Sequence, residues 1–144
     1  MRKQRKLMMG LLLCFMMVTI ASGERVAASA DDIEFGFTMQ PRNAESWDTT
    51  GGYRYRQTSN THNPWRIKMT ITTDQNDKKT YYWLDKFSDS KKVSTKELII
   101  QGEGYRTFEP YATANGQNIK LAGCDNNFSA STYWTVGFWD EETW

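Results

Sequence analysis

Trp65, Ile67, Met69 and Ile71 alternate with Arg66, Lys68, Thr70 and Thr72 over eight consecutive residues. A period of two places one set on each side of an extended chain, so this stretch predicts a strand with one buried and one wet face. The pattern recurs. Ile33, Phe35, Phe37 and Met39 alternate with Glu34, Gly36, Thr38 and Gln40 up to Pro41. Further strands are expected at 53–56, 80–87, 96–101, 105–108, 118–122 and 132–139, the last with two partly apolar faces. The short polar loop Asp74-Gln75-Asn76-Asp77 predicts a hairpin joining 65–72 to 80–87. Helical periodicity is almost absent and no βαβ pattern exists. Seven or eight short strands at intervals of roughly 8–12 residues predict an all-β chain folded as a small antiparallel β-sandwich.

Ahead of these strands stands a segment of another kind. Arg2, Lys3, Arg5 and Lys6 precede an apolar run at 7–23, and Ala28-Ser29-Ala30 supplies small residues at the first and third positions before a cut. This is the arrangement of a secretory signal peptide, and it predicts cleavage between Ala30 and Asp31, with cuts after Gly23 or Ala28 as alternatives. As a helix the apolar run would reach only about 25 Å, short of a hydrocarbon core of about 30 Å. It therefore reads as a removed leader and not as a stable membrane anchor. Cys14 follows Leu13, where a lipidation signal wants a small residue, and reads as apolar filler. The expected organisation is a signal peptide over 1–30, helical in the precursor, and one β-sandwich domain over 31–144, secreted after cleavage.

Removing the leader changes the charge. Five of the 18 Lys and Arg residues (Arg2, Lys3, Arg5, Lys6, Arg25) and one of the 17 acids (Glu24) leave with it. The remaining 13 bases face 16 acids, a net charge of −3 where the whole chain carries +1. No basic cluster of the kind that neutralises several phosphates is present, which argues against nucleic acid as a partner. Only Cys124 remains after cleavage, so no internal disulfide can form and the core must hold the domain together. Aromatic rings suit such a core, and 19 of the 20 Phe, Trp and Tyr residues lie beyond residue 30.

Candidate sites are few. His62 is the only histidine, and neither it nor Cys124 sits in a nucleophile motif, so no catalytic residue is assigned. One His and one Cys cannot make a zinc site. The oxygen-rich stretches at Asp74, Asp77, Asp125 and Asp140 lack the spacing of a calcium loop and read as turn residues, so no metal or cofactor is expected. The Asp140-Glu141-Glu142 cluster admits a second reading, a small secreted enzyme or enzyme inhibitor, since two facing carboxylates can hydrolyse a glycoside. The ordinary explanation of the cluster is a solvated acidic tail.

Two surface features point to binding instead. Arg54, Arg56, Arg66 and Lys68 alternate with rings and apolar residues, and would form one outward cationic stripe if their strands were neighbours. Trp47 lies in the polar segment 41–52, where a large ring left in water suggests contact with a partner; the alternative is that it folds back as a lid over an open end of the sandwich. The partner expected from these is a cell-envelope component or another protein. Nothing in the sequence speaks to oligomeric state.

The stretch from Tyr55 to Trp65 (Tyr-Arg-Gln-Thr-Ser-Asn-Thr-His-Asn-Pro-Trp), Tyr82-Trp83-Leu84, Gln101-Gly102-Glu103-Gly104 and the ending Gly137-Phe138-Trp139-Asp140-Glu141-Glu142-Thr143 together resemble a family of small secreted Gram-positive proteins, a domain of unknown function. The resemblance covers nearly all of 31–144 and implies no activity or site. In size, leader, absence of disulfides and ring-rich β design the chain is also similar to the lactococcin-type bacteriocins, secreted β-sandwiches that act on the cell envelope. The reading is a secreted, non-enzymatic, envelope-directed or surface-binding protein.

Overall fold

The computed structural model of the protein describes residues 31–48 and 50–144. The expected leader, with Ala28 and Ala30 of its cleavage site, lies outside the described residues, and Asp31 is the first of them. Nine strands follow in order among the described residues: β1 (Ile33–Met39), β2 (Ser46–Trp47), β3 (Arg54–Tyr55), β4 (Trp65–Thr72), β5 (Lys79–Lys86), β6 (Glu97–Ile100), β7 (Arg106–Phe108), β8 (Asn118–Asp125) and β9 (Tyr133–Asp140). A 3-10 turn, Ala112–Ala114, precedes β8.

The strands form two antiparallel sheets packed face to face, the expected sandwich. One runs β1-β9-β4-β7, and the other runs β2-β8-β5-β6 with β3 continuing the β2 edge of β8. Between them lies a core of Phe35, Phe37 and Met39 from β1, Trp65, Ile67 and Met69 from β4, Tyr82 and Leu84 from β5, Ile119 and Leu121 from β8, and Trp139 from β9. These are the inward members of the alternating pairs. Each fully buried apolar side chain of this size contributes about 1.5–3 kcal/mol, which replaces what disulfides would supply. The tyrosine hydroxyls inside are paired: Tyr82 donates to Thr135 Oγ1 at 2.8 Å, and Tyr133 and Thr80 share a 3.1 Å hydrogen bond.

Two expectations fail. β4 and β5 do not form a hairpin. β4 pairs with β9 and β7, while β5 pairs with β6 and β8 in the opposite sheet. Both strands carry large inward side chains, and these meet across the core, so the connection at 73–78 crosses from sheet to sheet. Its backbone is tied to β9 by the amide of Thr73 on Trp134 O at 2.8 Å, and it re-enters β5 through Lys78 at a left-handed φ of 56°.

Ile71 is the second failure. Met69 faces Gly137 but Ile71 faces Val136, so an extra residue, Thr70, is inserted into β4. This β-bulge reverses the alternation: Ile71 turns outward at 52% exposure and Thr72 is buried. Gly137 belongs to the same irregularity, because a Cβ there would meet Lys68 O at 2.0 Å and the Phe35 ring at 2.7 Å.

Candidate binding surface

The four basic residues expected to form one stripe are separated by the fold. Arg56 is fully buried, a correction to its reading as a surface residue. It follows β3 directly, and its guanidinium turns inward to donate to Glu141 O, Asn63 O and, at 3.1 Å, Asn115 Oδ1. Arg54 reaches from the five-stranded sheet to Asp31 at 3.4 Å and Glu141 at 3.5 Å. Only Arg66 and Lys68 share an outward face, that of the four-stranded sheet, where both lie over the Tyr105 ring at 4.7 and 4.3 Å. Arg66 is neutralised by Asp32 at 2.9 Å and Asp140 at 3.4 Å. The stripe fails because β3 and β4 belong to different sheets.

The acidic ending is no solvated tail. Asp140, Glu141 and Glu142 are all buried. The Glu142 carboxylate accepts the amides of Gln57 and Thr58, both at 3.1 Å, and Asn63 Oδ1 accepts those of Thr143 and Trp144. Burial pushes the Asp140 carboxyl up to about 6, with the Glu142 amide and Arg66 acting the other way. Burial likewise raises Glu141, against the pull of Arg54. The segment 56–64 and the chain ending thus hold each other. The carboxylates of the other loops cap turns: Asp74 accepts the Asn76 amide at 2.9 Å and Asp125 the Ser129 amide at 2.8 Å. Among the described residues no three His, Cys, Asp or Glu side chains are grouped to hold a metal ion. His62 meets Glu109 at 3.0 Å on the surface.

A different surface carries the unexplained chemistry: the outer face of the five-stranded sheet. Register places Trp47, Ala122 and Trp83 in one row across β2, β8 and β5, and Lys120 beside Asp85 in the next. The two indoles share one carboxylate. Trp47 donates to Asp85 Oδ2 at 3.1 Å and Trp83 to Asp85 Oδ1 at 2.9 Å. Burial raises the Asp85 carboxyl above its ordinary range, and these two indole bonds counteract it.

Three lysines cover the rings. Lys120 Nζ lies 4.4 Å from the centre of Trp47, and Lys92 and Lys96 lie 4.7 and 4.3 Å from that of Trp83. Trp83 is fully buried beneath them, whereas Trp47 is 40% exposed. Beyond Lys120 the rings of Tyr53 and Phe87 stack at 4.3 Å, both about half exposed. Cation–π contacts of this kind contribute about 0.5–1 kcal/mol each at exposed sites, enough to order the lysines without removing their charge.

A family model described as a protein of unknown function (DUF2712) matches residues 23–143. The chain belongs to this family. No curated protein and no solved structure matches it significantly. The DUF2712 match begins at Gly23, upstream of the expected cut after Ala30, and runs through the buried acidic ending. The stretches on which the family resemblance rests include the two that clamp each other in the fold, 55–65 and the ending after Gly137.

Of the residues assigned to binding from the sequence of this DUF2712 protein, Trp47 alone lies on the ring-and-lysine face. Its surroundings differ from expectation, since it sits in a two-residue strand at the sheet edge and not in a loop. Sequence reasoning missed Tyr53, Trp83, Asp85, Phe87, Lys92, Lys96 and Lys120. A signal existed in β5: its inward set, Tyr82 and Leu84, is apolar, yet its outward set also includes Tyr81 and Trp83. A strand with two apolar faces at the centre of a two-layer sandwich has something to cover its outer side. Lys92, Lys96 and Lys120 gave no signal, because their convergence depends on pairing across three strands.

Proposed function

We propose that this DUF2712 protein is a secreted, non-enzymatic protein directed at a cell envelope, bacteriocin-like in build, and that it binds through the outer face of its five-stranded sheet. One observation carries the reading: exposed rings on that face are held in fixed positions, Trp47 through Asp85 and Lys120, and Tyr53 through Phe87. A partner meeting such a face loses little side-chain freedom on binding, because the rings are already ordered. The charged n-region, apolar run and small-residue cut site of the first thirty residues support export. The reading as an enzyme or inhibitor built on Asp140, Glu141 and Glu142 has no observation in its favour, since all three are buried in contacts with the chain itself.

The test is sedimentation of the purified protein with whole cells and with isolated cell wall. Wild-type protein should pellet with one or both. Trp47→Ala should lose at least tenfold in affinity while the domain stays folded, its stability falling by about 1–3 kcal/mol because Asp85 loses one of its two indole donors. Unchanged affinity of the folded Trp47→Ala would mark Trp47 as a packing residue, and recovery of the wild type in every supernatant would end the proposal.

A further inference from the structure

The ring-and-lysine face gathers three lysines around exposed rings. Arg54 and Arg66 each meet two carboxylates, Asp31 with Glu141 and Asp32 with Asp140. Among the described residues, Lys92, Lys96 and Lys120 meet none within ion-pair distance. Lys120 makes one hydrogen bond, to Ser90 Oγ at 2.8 Å, and Lys96 approaches only Cys124 Sγ, at 3.8 Å. The acid at their centre, Asp85, is turned into the sheet and occupied by the two indoles. Glu45 lies close enough to this face to act on both Asp85 and Cys124, raising each. Among the described residues Lys68, on the other sheet, likewise meets no carboxylate, so what sets this face apart is the convergence of three lysines beside three exposed rings, a positive surface suited to an anion.

Arg54 and Arg66 are held by carboxylates of the chain itself. On this face the ring-covering residues are lysines, compact point charges with three donors each, which can meet a phosphate oxygen approached from any side. The rings add a second requirement. Trp47, Tyr53 and Phe87 present exposed aromatic surface on a sheet face, the platform on which the C–H faces of a sugar or polyol ring can lie. Repeated rings and repeated cations on one open surface match a polymer better than a single small molecule.

Building on the function proposed above, we infer that the outer face of the five-stranded sheet binds a phosphodiester-linked glycan polymer, with Trp47, Tyr53 and Phe87 against its rings and Lys92, Lys96 and Lys120 on its phosphates. Binding is then electrostatic in part and falls with salt, because exposed lysines are screened within a Debye length of about 3 Å at 1 M and about 10 Å at 0.1 M.

The experiment uses the full chain, purified as its host processes it, in sedimentation with three preparations: isolated walls of the producing organism, the same walls after cold hydrofluoric acid has cleaved their phosphodiester-linked polymers, and phosphatidylglycerol vesicles. The expected result is binding to intact walls that drops at least tenfold between 50 and 500 mM salt and at least tenfold on stripped walls, with no binding to vesicles. Lys120→Gln, which leaves Trp83 covered by Lys92 and Lys96, should weaken binding threefold or more at an unchanged thermal midpoint, and Lys92→Gln/Lys96→Gln/Lys120→Gln should abolish it. Equal binding to stripped walls overturns this inference and leaves the proposed function standing. Binding to vesicles as strong as to walls overturns it in favour of a lipid surface, and binding to no preparation removes both proposals.

Discussion

Replacing Arg56 by Met separates two readings of the same residue. As a surface cation it would matter for binding and not for stability; the structure makes it the reverse. Met keeps the apolar stem and removes the guanidinium, which leaves Glu141 O, Asn63 O and Asn115 Oδ1 without their donor. Burial lowers the affinity of this guanidinium for its proton, while Glu142, Glu141 and Asp140 raise it, so the three buried acids lose a favourable positive charge. Hydrogen bonds to a charged group contribute about 1.5–3 kcal/mol each, but they are not additive, and breaking one side of a buried ionic network costs about 3–5 kcal/mol. For a domain of this length about 4 °C of midpoint accompanies each kcal/mol, so Arg56→Met should lower the melting temperature by about 12–20 °C. Urea unfolding followed by tryptophan fluorescence measures the free energy directly. Arg54→Met is the control, expected to cost under about 1 kcal/mol because its ion pairs are partly exposed. A loss of less than about 1 kcal/mol for Arg56→Met would refute the claim that the buried guanidinium pins the chain ending.

Other outcomes follow from the same geometry. Asp140, pushed up to about 6 by burial, holds more protons folded than unfolded between about pH 4 and 6, and Glu141 and Asp85 are shifted the same way. Stability should therefore rise as pH falls from 7 to 5, and a midpoint that drops over this range in a thermal scan would contradict it. Gly137→Ala places a methyl group against Lys68 O and the Phe35 ring in the middle of a sheet, and should cost more than about 3 kcal/mol or prevent folding, as read by far-UV circular dichroism. Cys124, buried and with burial holding its thiol above the ordinary range, should react with a thiol reagent only as fast as the protein opens, and immediate labelling would show the covering of the outer face to be loose.

The fold was legible where the period of two ran unbroken. β1 and the first half of β4 show their buried and exposed sets directly in the residues, whereas β9 reads as apolar on both faces and has buried residues on both. The alternation in β4 misled only past Met69, because a bulge leaves no mark in a strand's own composition; its counterpart is Gly137, on the neighbouring strand. The β4–β5 pairing misled because a short polar loop serves a hairpin and a crossing between layers equally well. Arg56 could not be told from Arg54 by pattern, since both flank a tyrosine, and what decides between them is the chain ending that arrives from far along the sequence. The site was legible only as Trp47. Its carboxylate partner, its covering lysine and the second indole come from β5 and β8 and the segments beside them, and no local signal joins them.

The placement of β9 has a consequence for how the chain comes to be folded. β9 lies between β1 and β4, so among the described residues the first strand finds its hydrogen-bonding neighbour in the last. Until residues 133–140 are free, β1 lacks that partner, the four-stranded sheet lacks its centre, and Trp139 is missing from the core. The residues after β9 then close the clamp on 56–64. A chain that emerges N-terminus first, from a ribosome or through a narrow channel, therefore cannot complete the four-stranded sheet and its share of the core until β9 has emerged. Such a topology ties closure of the sheet, and with it the resistance of the chain to threading, to the passage of residues 133–140.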